Sequence, residues 1–483
     1  MYPCISCITQ RGNIYTVNKD RNFLFLTHPQ LATCLYGQVA NLGVDDYYIR
    51  KAQYLKRHGI LDGIEQQHDG VITSSMIKNS LANLNQLVFE VTDACNLQCK
   101  YCGYRELYDD YDQRGAQMMR FEEAKKIIDY LIDIWDNSVQ EFTNREIYIS
   151  FYGGEPLLNM KLVKEIINYV ENCQVHNRTI YFSMTTNAML LKQHMDYLVE
   201  KKVSLLISLD GNEWNNSYRL TKDGKNSFER NISNVDALKE KYPEYFDKHV
   251  GFNAVLHNRN SVEEIFTFIK NRYGKAPRIS PLNTIGIRPD KKDEFERMYK
   301  DATQSLHQSK NYEHILNEMF MNTGEYNMLA TFLMQYNQNV YHTYNNLFTT
   351  IKPSNFIPTG TCIPFSRKMF VTVNGKILPC ERIGQQYGMG CVKPCSPVNL
   401  SLENIAGYYN RCLDKLRDQC RTCYRTQSCS QCMFSIDRFD IQKQVKCPEY
   451  TDSKTFAGYV GQNISFIEEH PEAYARVMDI VTA

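Results

Sequence analysis

The sequence lacks the features of membrane, secreted and polyanion-binding proteins. It has no run of about 18 apolar residues, which a membrane-spanning helix needs. Its first residues, MYPCISCITQRGN, lack the charged-then-apolar order of a secretory signal. With 55 basic and 54 acidic residues the net charge is +1, so no overall field favours nucleic acid or an anionic membrane. We therefore expect a cytoplasmic protein with no nucleic-acid and no membrane partner.

Histidine gives no sign of a catalytic zinc site, whereas cysteine is abundant. The 11 histidines show neither an HExxH motif nor paired spacing. Of the 17 cysteines, 10 lie between Cys362 and Cys447. In a chain of 483 residues without a secretory signal, such density indicates metal or iron–sulfur ligation rather than disulfides.

The first half of the chain predicts two regions. Residues 1–75 predict a hairpin followed by helices, in the outline of a winged helix, and residues 76–85 predict a linker. From residue 86 to 290, β and α patterns alternate, which predicts a parallel sheet with helical crossovers, an α/β partial (β/α)6 TIM barrel. The six predicted strands are Leu87–Val91, Ile147–Phe151, Ile180–Met184, Val203–Leu209, Val250–Leu256 and Arg278–Leu282.

The second half predicts three further segments. Residues 291–355 read as a helical bridge, residues 356–450 as a cysteine-rich domain and residues 451–483 as a C-terminal helical segment. The length of the whole chain agrees with two to four domains.

Directly after the first predicted barrel strand comes Cys95-x3-Cys99-x2-Cys102. Three thiolates on one loop can hold three corners of a [4Fe–4S] cluster and leave the fourth iron free for a ligand. A zinc knuckle whose fourth ligand lies elsewhere in the chain is the alternative for this loop.

This loop resembles the signature of the radical S-adenosylmethionine (SAM) enzymes, and motifs after the next three strands extend the resemblance. They are Gly153-Gly154-Glu155-Pro156, Thr185-Thr186-Asn187 and Ser208-Leu209-Asp210-Gly211 with Arg219 downstream. The resemblance implies a SAM site made of Tyr101, Gly153, Gly154, Glu155, Asn187, Ser208, Asp210 and Arg219. In that site Tyr101 would pack on the adenine and Glu155 would meet the methionine amino group. Where relatives carry a His-Asp pair before the arginine, this chain has Asn215-Asn216-Ser217.

The C-terminal cysteines resemble the SPASM extension, which binds two auxiliary [4Fe–4S] clusters. By this resemblance Cys420, Cys423, Cys429 and Cys447 hold the outer cluster, and Cys362, Cys380 and Cys432 hold the inner one. The inner cluster is then one ligand short, so that an iron is open unless Cys391, Cys395 or Cys412 fills the position. Structural zinc ribbons are the alternative for this region.

Together the resemblances imply a SPASM radical SAM peptide maturase with SAM and three [4Fe–4S] clusters as cofactors. Its partners would be a ribosomally made precursor peptide, whose leader pairs as an added β-strand with residues 1–75, and an electron donor such as flavodoxin or ferredoxin. Reductive cleavage of SAM would give a 5′-deoxyadenosyl radical, which abstracts hydrogen from the peptide so that a thioether, carbon–carbon or ether crosslink forms.

Two other functions stay open at this point. An anaerobic sulfatase maturase, which makes formylglycine, carries Asp directly after the cysteine of its Gx4C segment. This chain has Glu381 at that position, which makes Glu381 the candidate catalytic residue. An iron–sulfur electron carrier is the alternative that is not an enzyme, but it would leave the GGEP and SLDG motifs without a ligand.

Overall fold

The computed structural model describes residues 4–21, 23–37, 43–63, 68–138, 145–176, 178–336 and 356–482. The chain forms two compact units. The barrel unit consists of Ile72–Thr323 and Cys362–Tyr409. The terminal unit consists of Met1–Val71, Gly324–Thr361 and Asn410–Ala483.

The terminal unit begins with a three-stranded antiparallel sheet. Its strands are β1 (Cys4–Ile8), β2 (Ile14–Asn18) and β3 (Phe23–Leu26), with β2 in the middle. Helices α1 (Pro29–Tyr36) and α2 (Asp46–Arg57) follow. The predicted hairpin is therefore present as β2 and β3, and β1 extends it to a sheet. Recognition of a peptide by this sheet stays a prediction.

The prediction of a linker over residues 76–85 is wrong. Most of this segment belongs to helix α3 (Ser74–Ala82). Ile77 and Leu81 are fully buried, and the indole Nε1 of Trp135 donates a hydrogen bond to the carbonyl of Leu81 at 3.2 Å. Two buried apolar residues four positions apart share one helix face, and this is enough to hold a short helix in which five of the nine residues are polar.

A ten-stranded sheet forms the centre of the barrel unit. Its order is β13-β12-β11-β10-β4-β5-β6-β7-β8-β9, and the seven neighbours from β10 to β9 are parallel. All six predicted strands are present to within two residues at either end. The strands are β4 (Gln86–Thr92), β5 (Glu146–Gly153), β6 (Thr179–Thr186), β7 (Ser204–Ser208), β8 (Val250–Leu256), β9 (Arg278–Pro281), β10 (Lys368–Val371), β11 (Lys376–Leu378), β12 (Gly390–Lys393) and β13 (Ser396–Asn399).

Helices connect these strands and complete both units. None of the helices in the described part of the chain is both long and apolar enough to cross a membrane. The remaining helices are α4 (Phe121–Asn137), α5 (Met160–Asn172), α6 (Leu191–Glu200), α7 (Phe228–Lys241), α8 (Pro243–His249), α9 (Val262–Tyr273), α10 (Lys292–Met298), α11 (Ala302–His307), α12 (Tyr312–Met319), α13 (Gly324–Tyr336), α14 (Leu402–Asp414), α15 (Arg417–Thr422), α16 (Ser453–Glu469) and α17 (Pro471–Thr482).

The predicted cysteine-rich domain at 356–450 is not one unit in the structure. Its strands β10–β13 extend the barrel sheet, because Lys368–Val371 pairs in parallel with residues 86–89 of β4. The part after Tyr409 belongs to the terminal unit instead. The predicted bridge is divided in the same way, with α10–α12 in the barrel unit and α13 in the terminal unit, while 337–355 lies outside the described residues.

The barrel strands have one apolar and one polar face. Leu87 and Phe89 of β4 have no exposed surface and belong to the apolar core. On the alternate positions, the amide Nε2 of Gln86 donates to the hydroxyl of Ser150 at 2.7 Å, and the hydroxyls of Ser150 and Ser183 lie 2.6 Å apart. This hydrogen-bonded row crosses β4, β5 and β6, so the face opposite the apolar side chains of these strands is polar.

Candidate functional site

The loop that carries Cys95, Cys99 and Cys102 follows β4 and pairs with the segment that contains Arg219. The backbone N–H of residue 98 donates to the carbonyl of residue 220 at 2.6 Å, and that of residue 100 to the carbonyl of residue 218 at 3.1 Å. The three thiols are partly exposed. Burial raises the pKa of Cys99 to about 12, so the free thiol keeps its proton at neutral pH until a metal displaces it.

Gly153 and Gly154, at the end of β5, lie against the backbone that leads into the cysteine loop. The N–H of Gly154 donates to the carbonyl of Thr92 at 2.9 Å. A Cβ on Gly153, which has a φ of +135°, would lie 2.1 Å from that carbonyl oxygen. A Cβ on Gly154 would lie 2.0 Å from the carbonyl oxygen of Ala94. Both glycines are therefore required by the close packing of the two strand ends.

Glu155 joins the ends of β5 and β6. Its buried carboxylate accepts hydrogen bonds from the N–H of Leu157 at 3.1 Å, the hydroxyl of Thr186 at 2.7 Å and the N–H of Asn187 at 2.8 Å. Burial raises the pKa of Glu155 to about 7 in spite of these bonds. In this structure the Glu155 carboxylate therefore accepts hydrogen bonds from groups of the protein itself. Its contact with the methionine amino group of SAM stays a prediction.

The side chain of Asn187 lies beside the cysteine loop. Its Nδ2 donates to Oδ1 of Asn96 at 2.7 Å and lies 3.8 Å from Sγ of Cys95. The carbonyl of Asn187 accepts a hydrogen bond from Nδ2 of Asn231, which also reaches the carbonyl of Ser208 at 3.4 Å. One buried amide therefore connects the ends of β6 and β7.

Asp210 and Arg219 form a buried ion pair. Nη2 of Arg219 lies 3.0 Å from Oδ1 of Asp210, which also accepts the N–H of Val255 at 2.9 Å. Burial alone would raise the pKa of Asp210, but the guanidinium holds it at about 2. Nε of Arg219 is buried and has no partner among the described residues.

Tyr101 is packed inside the protein. It is 8% exposed, its hydroxyl donates to Oδ2 of Asp210, and Leu107, Tyr108 and Tyr218 are in the same apolar cluster. Stacking on adenine needs an open ring face, so this role stays a prediction, and the observed role of Tyr101 is to hold Asp210.

Asn215 and Asn216 hold the turn that returns the chain to Arg219. Both are fully buried. Oδ1 of Asn216 accepts the N–H of Asp210, and Nδ2 of Asn215 donates to the carbonyl of Arg259 at 2.9 Å. The departure from the family pattern in this segment therefore still brings Arg219 to Asp210.

Three residues near the site are not indicated by sequence motifs. The carboxylate of Asp93 accepts the N–H groups of residues 115 and 117, and its carbonyl accepts Nη1 of Arg114 at 2.9 Å. His257 is fully buried, with its ring 5.6 Å from that of Tyr101 and its Nε2 3.7 Å from the Asp210 carboxylate. Asp93 and His257 could have been suspected from the sequence because they come directly after strands β4 and β8. No sequence feature indicates Arg114.

Glu381 follows β11. Burial, together with the nearby Glu381 carboxylate and Cys102 thiol, raises the pKa of both Tyr111 and Tyr152, so these two tyrosines lie within electrostatic range of Glu381 and of the cysteine loop. Its carboxylate is 2.6 Å from Nζ of Lys368, the residue of β10 that is paired with Gln86 at the start of β4. Burial would raise the pKa of Glu381, but the Lys368 ammonium lowers it, so the carboxylate is ionised at neutral pH. Its other oxygen lies 3.7 Å from Sγ of Cys380.

The four cysteines predicted for the outer cluster line one cavity within the terminal unit. They are Cys420, Cys423, Cys429 and Cys447. Gln419 supports two of the segments, since its side chain accepts the N–H of Cys447 at 3.0 Å and donates to the carbonyl of Val445 at 2.8 Å. Burial, together with the neighbouring thiols, raises the pKa of Cys420 to about 12. In the described ranges, no three Cys, His, Asp or Glu side chains lie close enough to hold a single metal ion.

The cysteines predicted for the inner cluster are divided between the units. Cys362 and Cys380 belong to the barrel unit and Cys432 to the terminal unit. Of the spare cysteines, Cys391 lies opposite Lys376, the first residue of β11. Cys380 comes two residues after Leu378, the last residue of β11. The four-residue offset corresponds to about 13 Å along an extended strand.

Comparisons with known proteins agree with this site. A family model described as the Radical SAM superfamily matches residues 89–270. Over 217 residues the chain is 31% identical to the uncharacterized protein MJ0907 of Methanocaldococcus jannaschii, a match that covers 44% of this chain and 67% of that protein. The chain belongs to the radical SAM superfamily. This membership implies SAM and one [4Fe–4S] cluster, and it confirms the prediction of an enzyme.

Two further comparisons concern the range of the superfamily and its fold. The chain is 28% identical over 219 residues to the radical SAM cyclopropyl synthase TigE of Paramaledivibacter caminithermalis, a match covering 44% of this chain and only 42% of the synthase. The solved structure of anSMEcpe with bound AdoMet has a TM-score of 0.51 at 18% identity and covers 83% of this chain and 99% of that chain. The second similarity confirms the predicted fold class.

The residues present fit the two cofactors of a radical SAM enzyme. Three thiols lie on one partly exposed loop, which suits a cluster with one open iron. The buried Nε of Arg219 needs a hydrogen-bond acceptor that the described residues do not supply. SAM carries a carboxylate and ribose hydroxyls, which are acceptors of this kind.

Proposed function

We propose that the protein is a radical SAM peptide maturase that removes a hydrogen atom from a ribosomally made precursor peptide and installs a crosslink. One observation carries the proposal: the cysteine loop is held against Gly154 on one side and against the Arg219 segment on the other. Such contacts keep the loop and the motifs of neighbouring strands together at the carboxyl ends of the strands, where ligands bind in parallel sheets.

The site residues divide the work between binding and positioning. Cys95, Cys99 and Cys102 would hold the cluster. The bound cluster and SAM supply the 5′-deoxyadenosyl radical that takes the hydrogen atom. Glu155 fixes the end of β6 through its hydrogen bond with Asn187. Asp210 fixes the guanidinium of Arg219, whose Nε has no hydrogen-bond acceptor among the described residues. The groups proposed to surround SAM are Tyr101, Gly153, Gly154, Glu155, Asn187, Ser208, Asp210 and Arg219.

The polar face of the strands supports a peptide substrate. The hydrogen-bonded row of Gln86, Ser150 and Ser183 offers donors and acceptors of the kind that peptide groups require. As the new bond forms, the substrate radical must lose one electron and one proton. An auxiliary cluster would accept the electron, and Glu381 would act as the catalytic base, because an ionised carboxylate can accept the proton.

Two auxiliary clusters complete the proposal of three [4Fe–4S] clusters. The cavity lined by Cys420 and its three neighbours supports the outer one. For the inner one, the separation of Cys391 from Cys380 along the strands supports an open iron rather than a fourth cysteine from β12. A substrate thiol could bind there, which favours a thioether, whereas the similarity to a cyclopropyl synthase favours a carbon–carbon bond. Flavodoxin or ferredoxin would supply the electron for the first cluster.

The free edge of the N-terminal sheet supports leader binding by strand addition. The sheet order leaves β3 at an edge. The N–H of Thr27 donates to the carbonyl of Ile14 at 2.7 Å in β2, so by alternation the N–H groups of Leu24 and Leu26 point away from β2. An extended peptide can accept hydrogen bonds from these two groups.

SAM cleavage tests the function. The protein is reconstituted anaerobically with iron and sulfide, reduced, and assayed for 5′-deoxyadenosine. The variant with Cys95, Cys99 and Cys102 changed to Ala should release none and should keep the iron of the auxiliary clusters. Undiminished product from this variant would sink the proposal.

A single-residue exchange tests the leader site. Leu26→Pro removes one outward N–H, while Leu26→Ala keeps it and removes a side chain that is 62% exposed. Binding of the precursor peptide should fall about tenfold or more for the proline variant only, with unchanged SAM cleavage in the absence of peptide. Equal binding by both variants would refute strand addition at β3.

A further inference from the structure

Arg114 is a partly exposed residue, but two nitrogens of its guanidinium are buried without a partner. The guanidinium lies 3.5 Å from the centre of the Tyr104 ring, and Nη1 donates to the carbonyl of Asp93 at 2.9 Å. Nε and Nη2 have no partner among the described residues. Two buried guanidinium nitrogens without an acceptor are costly unless an acceptor, preferably an anion, meets them.

The nearby carboxylates do not meet this need. The carboxylate of Asp93 is already bound to the backbone N–H groups of residues 115 and 117. Glu90 is 2% exposed and accepts the N–H of Val373 at 3.0 Å. Burial raises the pKa of Glu90, while the Arg114 charge, which lies within electrostatic range, acts in the opposite direction. Neither carboxylate accepts a hydrogen bond from Nε or Nη2 of Arg114.

Arg219, which is buried, has a different environment. Nη2 of Arg219 is paired with Asp210 at 3.0 Å, so that pair is neutral as a whole. Arg114 has the stacking contact with Tyr104, and a tyrosine ring stabilises a cation less than a carboxylate in contact does. Among the described residues, no carboxylate accepts a hydrogen bond from Nε or Nη2 of Arg114.

The geometry points to Arg114 as the receptor for a carboxylate of a bound ligand. A carboxylate matches the two free N–H groups, which lie in the plane of one guanidinium and can bind both of its oxygens. Two ligands of the proposed reaction carry this group, namely the methionine end of SAM and an acidic residue or C-terminus of the peptide. The inference rests on the proposed function for these ligands, while the unpaired state of Arg114 does not depend on it.

The stability of the ligand-free protein tests whether Arg114 is unpaired. In cluster-loaded protein without SAM, Arg114→Met should leave the melting temperature unchanged or raise it, because the variant removes two buried nitrogens that lack an acceptor. Arg219→Met is the matched control and should lower the melting temperature by several degrees, because it leaves the buried Asp210 carboxylate without its counter-charge. A fall for Arg114→Met equal to that of the control, or a loss of bound iron, would mean that Arg114 is already paired and would overturn the inference.

Binding measurements without turnover distinguish the two sources of the carboxylate. If SAM supplies it, the unreduced wild-type protein should bind SAM at least tenfold more tightly than decarboxylated SAM in equilibrium dialysis, and Arg114→Met should lose this preference. If the peptide supplies it, the preference should survive in the variant. N-acetyl-aspartate amide, but not the asparagine analogue, should then stabilise the wild type against heat and leave the variant unaffected.

The result that contradicts the inference is distinct from failure of the proposed function. If Arg114→Met changes neither the preference for SAM nor the effect of the aspartate probe, Arg114 is no carboxylate receptor, even when the wild type cleaves SAM. If the wild type fails to cleave SAM, the proposed function is wrong, while the stability test of Arg114 keeps its meaning.

Discussion

The two groups of cysteines in this protein are supported in different ways. The loop with Cys95 lies at the end of a strand and is hydrogen-bonded to neighbouring backbone on both sides. The cavity with Cys420 is formed by turns and by the six-residue helix α15, with Gln419 bridging two of its segments. We therefore expect the first site to keep its shape without its cluster, whereas the second site should depend on its cluster for order.

We expect the largest difference between the two cysteine sites when the outer cluster is lost. Changing Cys423 and Cys429 to Ala should destabilise the terminal unit strongly, since metal binding in small metal-dependent domains contributes on the order of 10 kcal/mol to folding. Limited proteolysis should then cut within residues 410–450. The variant lacking Cys95, Cys99 and Cys102 is the control and should stay as resistant as the wild type. Equal resistance of both variants would show that the two sites do not differ in this way.

Gly154→Ala tests how firmly the first site is held. The new Cβ would lie 2.0 Å from the carbonyl oxygen of Ala94 and 2.8 Å from that of Asp93, and backbone atoms cannot rotate away as a flexible side chain can. We expect a loss of about 5 kcal/mol in the free energy of unfolding, measured with denaturant. Gly251→Ala is the control, because its Cβ would meet only a side-chain atom of Leu206 at 3.7 Å. A small loss for Gly154→Ala would mean that the loop can move away from β5.

Asp210→Asn breaks the ion pair that supports the Arg219 segment. We expect a loss of about 4 kcal/mol, since Arg219 stays buried without its counter-charge. Asp236→Asn removes the partner of Arg272 in a pair that is about two-fifths exposed and should cost less than about 1 kcal/mol. Chemical denaturation measures both, and similar values would show that burial does not separate the two pairs.

Glu155 gives a pH dependence with a definite sign. Its pKa rises from 4.5 to about 7 on folding, so the native state holds the proton more tightly than the unfolded state between these values. The stability should fall by up to about 3 kcal/mol as the pH rises from about 4.5 to 7 and should change no further above that range. Glu155→Gln should remove this slope from denaturant curves taken across the range. A variant with the same slope as the wild type would exclude Glu155 as its cause.

Much of the fold could be predicted from local pattern. The six barrel strands agree with the structure because each is a short apolar run, and the cysteine loop could be placed because it follows the first of them. The addition of β10–β13 to the sheet could not be predicted, since the pairing of Lys368–Val371 with β4 joins segments nearly 300 residues apart. Helix α3 was missed because its polar residues outnumber its buried ones.

The sequence by itself determined which residues are candidates for the chemistry: those of the cysteine spacings, those of the glycine motif, and the acid and arginine after the fourth barrel strand. These are local features, set by residue type and order. Only the tertiary structure decided three further properties. Glu155 accepts hydrogen bonds from protein groups at the end of β6. Tyr101 is buried, and Nε and Nη2 of Arg114 have no acceptor among the described residues, whereas Nη2 of Arg219 is paired with Asp210. Such properties depend on which groups meet after the strand ends converge, because burial and pairing arise from contacts between residues distant in the chain.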